Sequence, residues 1–103
     1  MYSETVTANK TTDPIFSSFG GAKVFQFQNT TGSIDGALET SLDGGTNWIA
    51  AKDKNGTAIE FSFSAAGYAR FEILSAAGDR HRIVYSNSSS PNLIAKCHIA
   101  SNI

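Results

Sequence analysis

The sequence is poor in cysteine and in net charge, and each shortage excludes a class of protein. Its 103 residues include one cysteine, Cys97, so neither an intrachain disulfide nor a multi-cysteine zinc site can form. Lys and Arg number 8 against 9 Asp and Glu, a formal net charge of −1. This balance argues against nucleic-acid binding and electrostatic membrane anchoring, because both need concentrated positive charge. We therefore expect neither nucleic acid nor membrane among its partners.

Neither a long apolar run nor a signal-peptide pattern is visible in the sequence. The N-terminus reads Met-Tyr-Ser-Glu-Thr, with no basic region and no apolar stretch behind it. The longest apolar stretches are only a few residues, too short to cross a membrane. These features predict a protein that is made and folded in a cytosol.

The apolar residues that are present alternate with polar ones, the period typical of strands with one buried face. Phe25 and Phe27 lie two residues apart, as do Phe61 and Phe63. Turn signals such as Asn55-Gly56 separate these runs. The pattern predicts strands near 4–9, 22–28, 34–42, 46–51, 57–63, 68–75, 81–86 and 92–100. We expect an all-β domain, a single antiparallel β-sandwich or jelly-roll-like barrel of about seven or eight short strands.

Two polar segments stand apart from the predicted core. Residues 1–15 form an N-terminal arm or edge strand, or a frayed terminus, ahead of a sandwich domain at 16–103. Residues 86–92 read Ser-Asn-Ser-Ser-Ser-Pro-Asn, which predicts a polar loop. Both segments are candidate interfaces, with these residues proposed as contacts: Val6, Pro14, Phe16, Ser86, Ser89 and Asn92.

The sharpest local motif is an Asp box, S-x-D-x-G-x-x-W, at residues 41–48. Its motif positions are Ser41, Asp43, Gly45 and Trp48. Asp43 can accept backbone N–H groups of a hairpin turn, Gly45 can adopt backbone angles closed to other residues, and Trp48 can pack its ring beneath the turn. We interpret the motif as structural, since one copy in a chain this short cannot form a propeller.

Candidate catalytic and metal-binding groups are scattered. His81 lies between two arginines, a basic spot expected to face solvent or a partner carboxylate, and His98 lies on the last predicted strand. Neither has an evident nucleophile or third ligand. Cys97 is expected to be a buried, inert thiol. Residues 53–56 resemble half of a calcium loop but lack its ligand spacing, so a hairpin turn is the better interpretation. The sequence thus predicts no catalytic residue, metal or cofactor.

The order of motifs resembles small β-sandwich proteins encoded among the structural genes of tailed bacteriophages. The matching stretches are Phe-Gly-Gly-Ala-Lys-Val at 19–24, Gly-Ala-Leu-Glu at 36–39, the Asp box at 41–48 and Ala-Gly-Tyr-Ala-Arg-Phe at 66–71. The resemblance covers about residues 16–100, and the N-terminal and Ser-rich segments have no counterpart in it. It implies a virion component made in the host cytoplasm, such as a capsid decoration (cement) protein. It further implies a homo-trimer bound to the major capsid protein.

Three alternatives stay open at this stage. The chain could be a tail, neck or fibre component of the same particle. It could be a carbohydrate-binding module or adhesin, for which Trp48, Tyr68 and Tyr85 are the candidate aromatic residues. A small enzyme is the third alternative, although no constellation marks one.

Overall fold

The computed structural model describes residues 2–16, 21–75 and 79–99, with the backbone only at Phe16, Ser75 and Ile99. Strands separated by turns make up this part of the chain, and no helix occurs in it. Ten strands are present there: β1 (Tyr2–Val6), β2 (Lys10–Thr11), β3 (Ile15–Phe16), β4 (Gly21–Asn29), β5 (Ser33–Ser41), β6 (Ile49–Ala50), β7 (Glu60–Phe63), β8 (Gly67–Ser75), β9 (Arg80–Ser89) and β10 (Leu93–Ile99).

The strands form two antiparallel sheets packed face to face. The first sheet has the order β1-β10-β4-β8. In the second sheet β9 pairs with β5 at the centre, β2 and β3 pair with the outer edge of β9, and β6 and β7 pair with the outer edge of β5. The prediction of an all-β antiparallel sandwich is confirmed.

The core lies between the sheets and follows the period-two pattern. Phe27 of β4 stands between Ala95 of β10 and Ala69 of β8 in the first sheet. Its ring meets Phe61 of the second sheet with ring centroids 4.4 Å apart. Inward positions of β5, β9 and β10 supply further buried side chains, namely Ile34, Leu38, Ile83, Tyr85, Leu93 and Ala95. Burial of this apolar surface is the main stabilising term of the fold.

The predicted strand at 46–51 is wrong in length, since β6 spans only Ile49–Ala50. The reason lies in the turn before it. The Asp43 carboxylate accepts the backbone N–H groups of Thr46 and Asn47, so these groups are used by the turn and not by a sheet ladder. The predicted strand at 57–63 is likewise shortened to Glu60–Phe63, with a single bridge between Lys52 and Ala58 ahead of it.

The predicted loop at 86–92 is also partly wrong, because β9 continues to Ser89. The β5–β9 register shifts between Ser33 and Asp35, which places an extra residue on β9 as a bulge. Asn87 has a φ of 53° there, a backbone region that asparagine tolerates better than most residues. Its side-chain amide donates to Asp35 Oδ2 at 2.8 Å. A bulged polar strand lacks apolar alternation, so its sequence looks like a loop.

The N-terminal segment closes one side of the sandwich. β1 forms the edge of the first sheet beside β10, and β2 and β3 lie along β9 in the second sheet. The chain therefore crosses from one sheet to the other within residues 2–16. Tyr2 and Tyr85 share a hydrogen bond between their hydroxyls, 3.0 Å, across this crossing.

Candidate functional site

The Asp box forms a turn held by its own side chains. The Ser41 hydroxyl donates to Asp43 Oδ1 at 2.8 Å and accepts the backbone N–H of Gly45 at 2.8 Å. Asp43 also accepts the Asn47 backbone N–H at 2.9 Å and its side-chain amide at 2.6 Å. These hydrogen bonds lower the pKa of the Asp43 carboxyl to about 2, those from Asn47 contributing most. The carboxylate is used within the turn.

Trp48 is half-buried at the base of this turn. Its indole Nε1 donates to the Gly45 carbonyl at 3.2 Å. The Arg82 guanidinium lies over the ring, 4.4 Å from the centroid, and its Nε donates to Glu39 Oε1 at 2.6 Å. A cation–π contact of this kind covers one ring face. The Trp48 ring is therefore a structural contact of the hairpin with β9.

The predicted interface residues have different environments. Val6 is 1% exposed and belongs to the core, so the expectation that its side chain contacts a partner is wrong. Its position opposite Leu93 on the inward face of β1 explains this burial. Pro14, Ser89 and Asn92 are exposed.

Two other predicted interface residues differ from these. Ser86 is half-buried within β9. Phe16 pairs through its backbone with Arg80, and its side chain lies outside the described part of the structure.

The closed side of the sandwich holds a small polar cluster. Tyr2 donates to Glu4 Oε1 at 3.0 Å, and Lys10 forms an ion pair with Glu4. Because Tyr2 uses its proton on Glu4, Tyr85 donates to Tyr2. Burial raises the pKa of both tyrosines well above the usual range. The contacts with Tyr85 and Glu4 add to this rise for Tyr2, whereas the hydrogen bond with Tyr2 opposes it for Tyr85. Both phenols therefore stay protonated and tie the N-terminal segment to the second sheet.

His81 is buried, so the expectation that this basic spot faces solvent is wrong for the histidine. Its Nδ1 lies 2.9 Å from the Thr40 hydroxyl, and its ring meets Phe25 edge-on at 5.8 Å. Nε2 has no hydrogen-bond partner among the residues that the structure describes. Burial first, and then the charge of Lys23, lower the pKa of His81 to about 4. A neutral imidazole thus lies in the core.

The other residues with reactive side chains are not gathered into one site. Cys97 is buried, and burial raises the pKa of its thiol to about 11. His98 is exposed on the opposite face of β10. Asp53 Oδ1 accepts the backbone N–H groups of Asn55 and Thr57 at 2.8 and 3.0 Å, an Asx turn rather than an ion site.

Among the three aromatic candidates for sugar binding, Tyr68 is the exposed one. Tyr85 lies in the core and Trp48 is covered by Arg82. Tyr68 is 59% exposed on the outer face of the first sheet, and its hydroxyl accepts a hydrogen bond from the Gln26 amide at 3.0 Å. The shallow depression beside it is also lined by Gln28, Ile94 and Lys96.

Among the described residues, no strand covers the side of the sandwich opposite the N-terminal segment. Here β8 is the edge of the first sheet and β7 lies at an edge of the second. Phe61, Phe63 and Phe71 pack against the core but stay partly exposed along this side. We call the β7 and β8 edges with these three rings the open side.

Two glycines make room for the rings of the open side. A Cβ at Gly36 would overlap the Phe61 ring, and a Cβ at Gly67 would lie 2.9 Å from the Phe63 ring. Neither glycine has a positive φ, so each is required for space and not for backbone freedom. The sequence suggests a turn at Gly67 and gives no signal for this packing.

Strand β8 is the longest strand of the open side. It is nine residues long and pairs with β4; no second neighbour lies along it in the part of the chain that the structure describes. Its outer face carries Tyr68, Arg70, Glu72 and Leu74, and Leu74 is 75% exposed. A long edge strand with exposed apolar side chains is a template for pairing with another chain. Its period-two pattern was visible in the sequence, but its place at an edge was not.

No family model matches the sequence, and no curated protein is significantly similar to it. The resemblance to phage structural proteins stays a prediction. Within residues 2–16, 21–75 and 79–99, no three His, Cys, Asp or Glu side chains are grouped so that they could hold a metal ion. The same part of the chain contains no helix long and apolar enough to span a membrane.

Proposed function

We propose that this chain is a non-enzymatic virion structural protein, a decoration protein that stabilises the head shell of a tailed phage. The observation that carries the proposal is the open side, where a nine-residue edge strand and three half-buried phenylalanines lie together. Proteins that act as monomers usually cover or blunt such an edge. An uncovered edge beside apolar side chains is typical of an interaction surface.

Several properties of the chain support this assembly role. The two sheets make a compact body, and the side opposite the open side is closed by the N-terminal segment. A near balance of charges suits contacts made by shape and hydrogen bonds. In a decorated shell, contacts between neighbouring copies would add avidity to weak attachment at each site. The motif order at residues 16–100 agrees with such a component.

The chemistry of the candidate reactive groups favours a role without catalysis. The Cys97 thiol stays protonated at neutral pH because its pKa is raised to about 11. His81 is neutral and bonded to Thr40 in the core. The remaining parts of the proposal are synthesis in the host cytoplasm, location in the virion and the major capsid protein as partner. The homo-trimer implied by the resemblance also stays a prediction.

The test is co-sedimentation with expanded head shells assembled from the major capsid protein encoded in the same genome. We expect saturable binding and shells that withstand a higher temperature. Leu74→Asp should reduce shell occupancy, because it places a charge on the open side. Leu42→Asp is the matched control, since Leu42 is 71% exposed but lies within the Asp box, outside strands β7 and β8. Unbound shells at saturating protein, or equal losses in both variants, would contradict the proposal.

Sugar binding is the second candidate function, favoured by the exposed Tyr68 ring beside two glutamines and a lysine. Aromatic faces flanked by amides are typical of shallow sugar sites. A glycan array with the wild type and Tyr68→Ala tests it. Glycan binding that is lost in the variant would support this candidate, and an array without signal would contradict it.

A further inference from the structure

We propose that the partner of the β8 edge is β8 of a second copy, paired antiparallel about a two-fold axis at Phe71. The inference rests on the proposed function in one respect, that the open side serves assembly. It goes further by naming the occupant and the register. The two four-stranded sheets would then join into one continuous sheet across both copies.

Sheet geometry limits the registers that a symmetric pair can adopt. Opposite residues in an antiparallel pair point to the same face of the sheet, so odd positions face odd positions and even positions face even ones. A two-fold pairing of β8 with itself must therefore be centred on a residue. The registers that pair most of the nine-residue strand are centred on Arg70, Phe71 or Glu72.

Charge decides among these registers. Centred on Phe71, Arg70 lies opposite Glu72 of the second copy, and the symmetry repeats this pair. In the register centred on Arg70, two arginines face each other. In the register centred on Glu72, two glutamates face each other. Directly opposite unlike charges stabilise a strand pair, whereas like charges destabilise it. The register at Phe71 is thus the self-complementary one.

The apolar residues of β8 favour the same register. It places Tyr68 opposite Leu74 of the second copy, the two large apolar side chains of β8 that are exposed at 59% and 75%. It also brings the two half-buried Phe71 rings together on the inner face. The pairing therefore covers apolar surface on both faces of the joined sheet.

The space along β8 fits this arrangement. A depression separates the end of β8 at Glu72 and Leu74 from the turn at residues 52–55. In the proposed register, the strand that enters this depression is the beginning of β8 of the second copy. Its inward residues there are Gly67 and Ala69, both small. On its outer face the entering strand would carry Arg70 and Tyr68, which lie opposite Glu72 and Leu74 at the wall of the depression.

Disulfide cross-linking tests the register directly. Arg70→Cys and Glu72→Cys are made separately, and Cys97 is left in place because it is buried. Opposite residues of antiparallel strands have Cα atoms about 4.5–5.5 Å apart, within the range of a disulfide. A mixture of both variants is oxidised mildly with oxidised glutathione. It should give mainly the mixed dimer, in which one R70C chain is joined to one E72C chain. Mass spectrometry identifies this product. Each variant alone should give at least about tenfold less dimer.

Two results of this experiment would overturn the inference. Homodimers of either variant at a yield equal to the mixed dimer would show another register. Monomer in every sample would show that β8 pairs with a strand of a different protein or with none. Wild-type protein, oxidised in parallel, controls for reaction of Cys97.

Charge reversal gives a second test without cysteines. Arg70→Glu or Glu72→Arg alone should weaken self-association at least about tenfold in sedimentation equilibrium. The double variant R70E/E72R should return to within about threefold of the wild type, because the pairs are restored with reversed polarity. A double variant as weak as the single ones, with circular dichroism showing all three folded, would contradict the register.

The outcomes separate this inference from the proposed function. If the protein binds shells but its β8 edges do not cross-link, the pairing is overturned and the decoration role stands. If the mixed dimer of R70C with E72C forms but the protein does not bind shells, the pairing stands and the decoration role is overturned.

Discussion

Replacing Gly36 by alanine tests the packing of the open side. Gly36 lies in β5 opposite Phe61 of β7, and the ring of Phe61 covers it. An added Cβ would lie 3.0 Å from Cε1 and closer still to Cζ and Cε2, whereas carbon atoms normally pack at about 3.5–4.0 Å. The ring must therefore move outward by about 1 Å or more to accommodate the methyl group.

The cost of that movement can be worked out from its parts. Overpacking costs about 1–3 kcal/mol. The displaced ring also loses contact with Phe27, whose centroid is 4.4 Å away, for about 0.5–1.5 kcal/mol. Alanine gains about 0.5–1 kcal/mol over glycine within a strand. We expect Gly36→Ala to lower the free energy of unfolding by about 0.5–4 kcal/mol.

Urea unfolding, followed by fluorescence, measures this loss in a double-mutant cycle. Without the ring, in a Phe61→Ala background, Gly36→Ala should become neutral or stabilise by about 0.5–1 kcal/mol. A Gly36→Ala variant more stable than the wild type, or the same change in both backgrounds, would refute the packing argument.

Three further changes test other parts of the molecule. Asp43→Ala should lower the free energy of unfolding at pH 7. Because folding lowers the Asp43 pKa from 3.8 to about 2, the difference in stability between wild type and variant should shrink from pH 4 toward pH 2. A difference in stability that does not depend on pH would contradict this prediction. Folding lowers the pKa of His81 from 6.5 to about 4, so the unfolded chain binds the proton first as the pH falls. The free energy of unfolding should therefore fall by up to about 3 kcal/mol from pH 6.5 to pH 4, and urea titrations should find a smaller loss in His81→Gln. Identical pH profiles of the wild type and the variant would contradict this prediction. Val6→Ala should cost about 2 kcal/mol in thermal unfolding and leave self-association unchanged, whereas weaker association at full stability would return Val6 to an interface.

The strands could be predicted from the sequence because alternation reports which face of a strand is buried. Phe25 and Phe27, for example, point into the core as their spacing indicates. Alternation does not report which strands are neighbours, so the edge position of β8 required the fold. The burial of Val6 was also missed, and Val6 was predicted to contact a partner, because an isolated valine in a polar segment carries no periodic signal. Gly36 was likewise hidden, because its role depends on a ring 25 residues further along the chain.

The candidate site was only partly predictable for a related reason. The hairpin of Asp43 could be foreseen because its hydrogen bonds are local, within residues 41–48. The pairing of Arg70 with Glu72 depends on the relation of one strand edge to its symmetric copy. No single-chain pattern contains that relation until β8 is known to be an edge.

The most direct test of assembly through the open side is sedimentation equilibrium of the wild-type protein over a wide concentration range. The account predicts a reversible monomer–dimer equilibrium, because a two-fold pairing of β8 closes with two copies. A monomer at every concentration would contradict the account. A trimer without dimer would support the copy number predicted from the resemblance and contradict the pairing of β8 with itself.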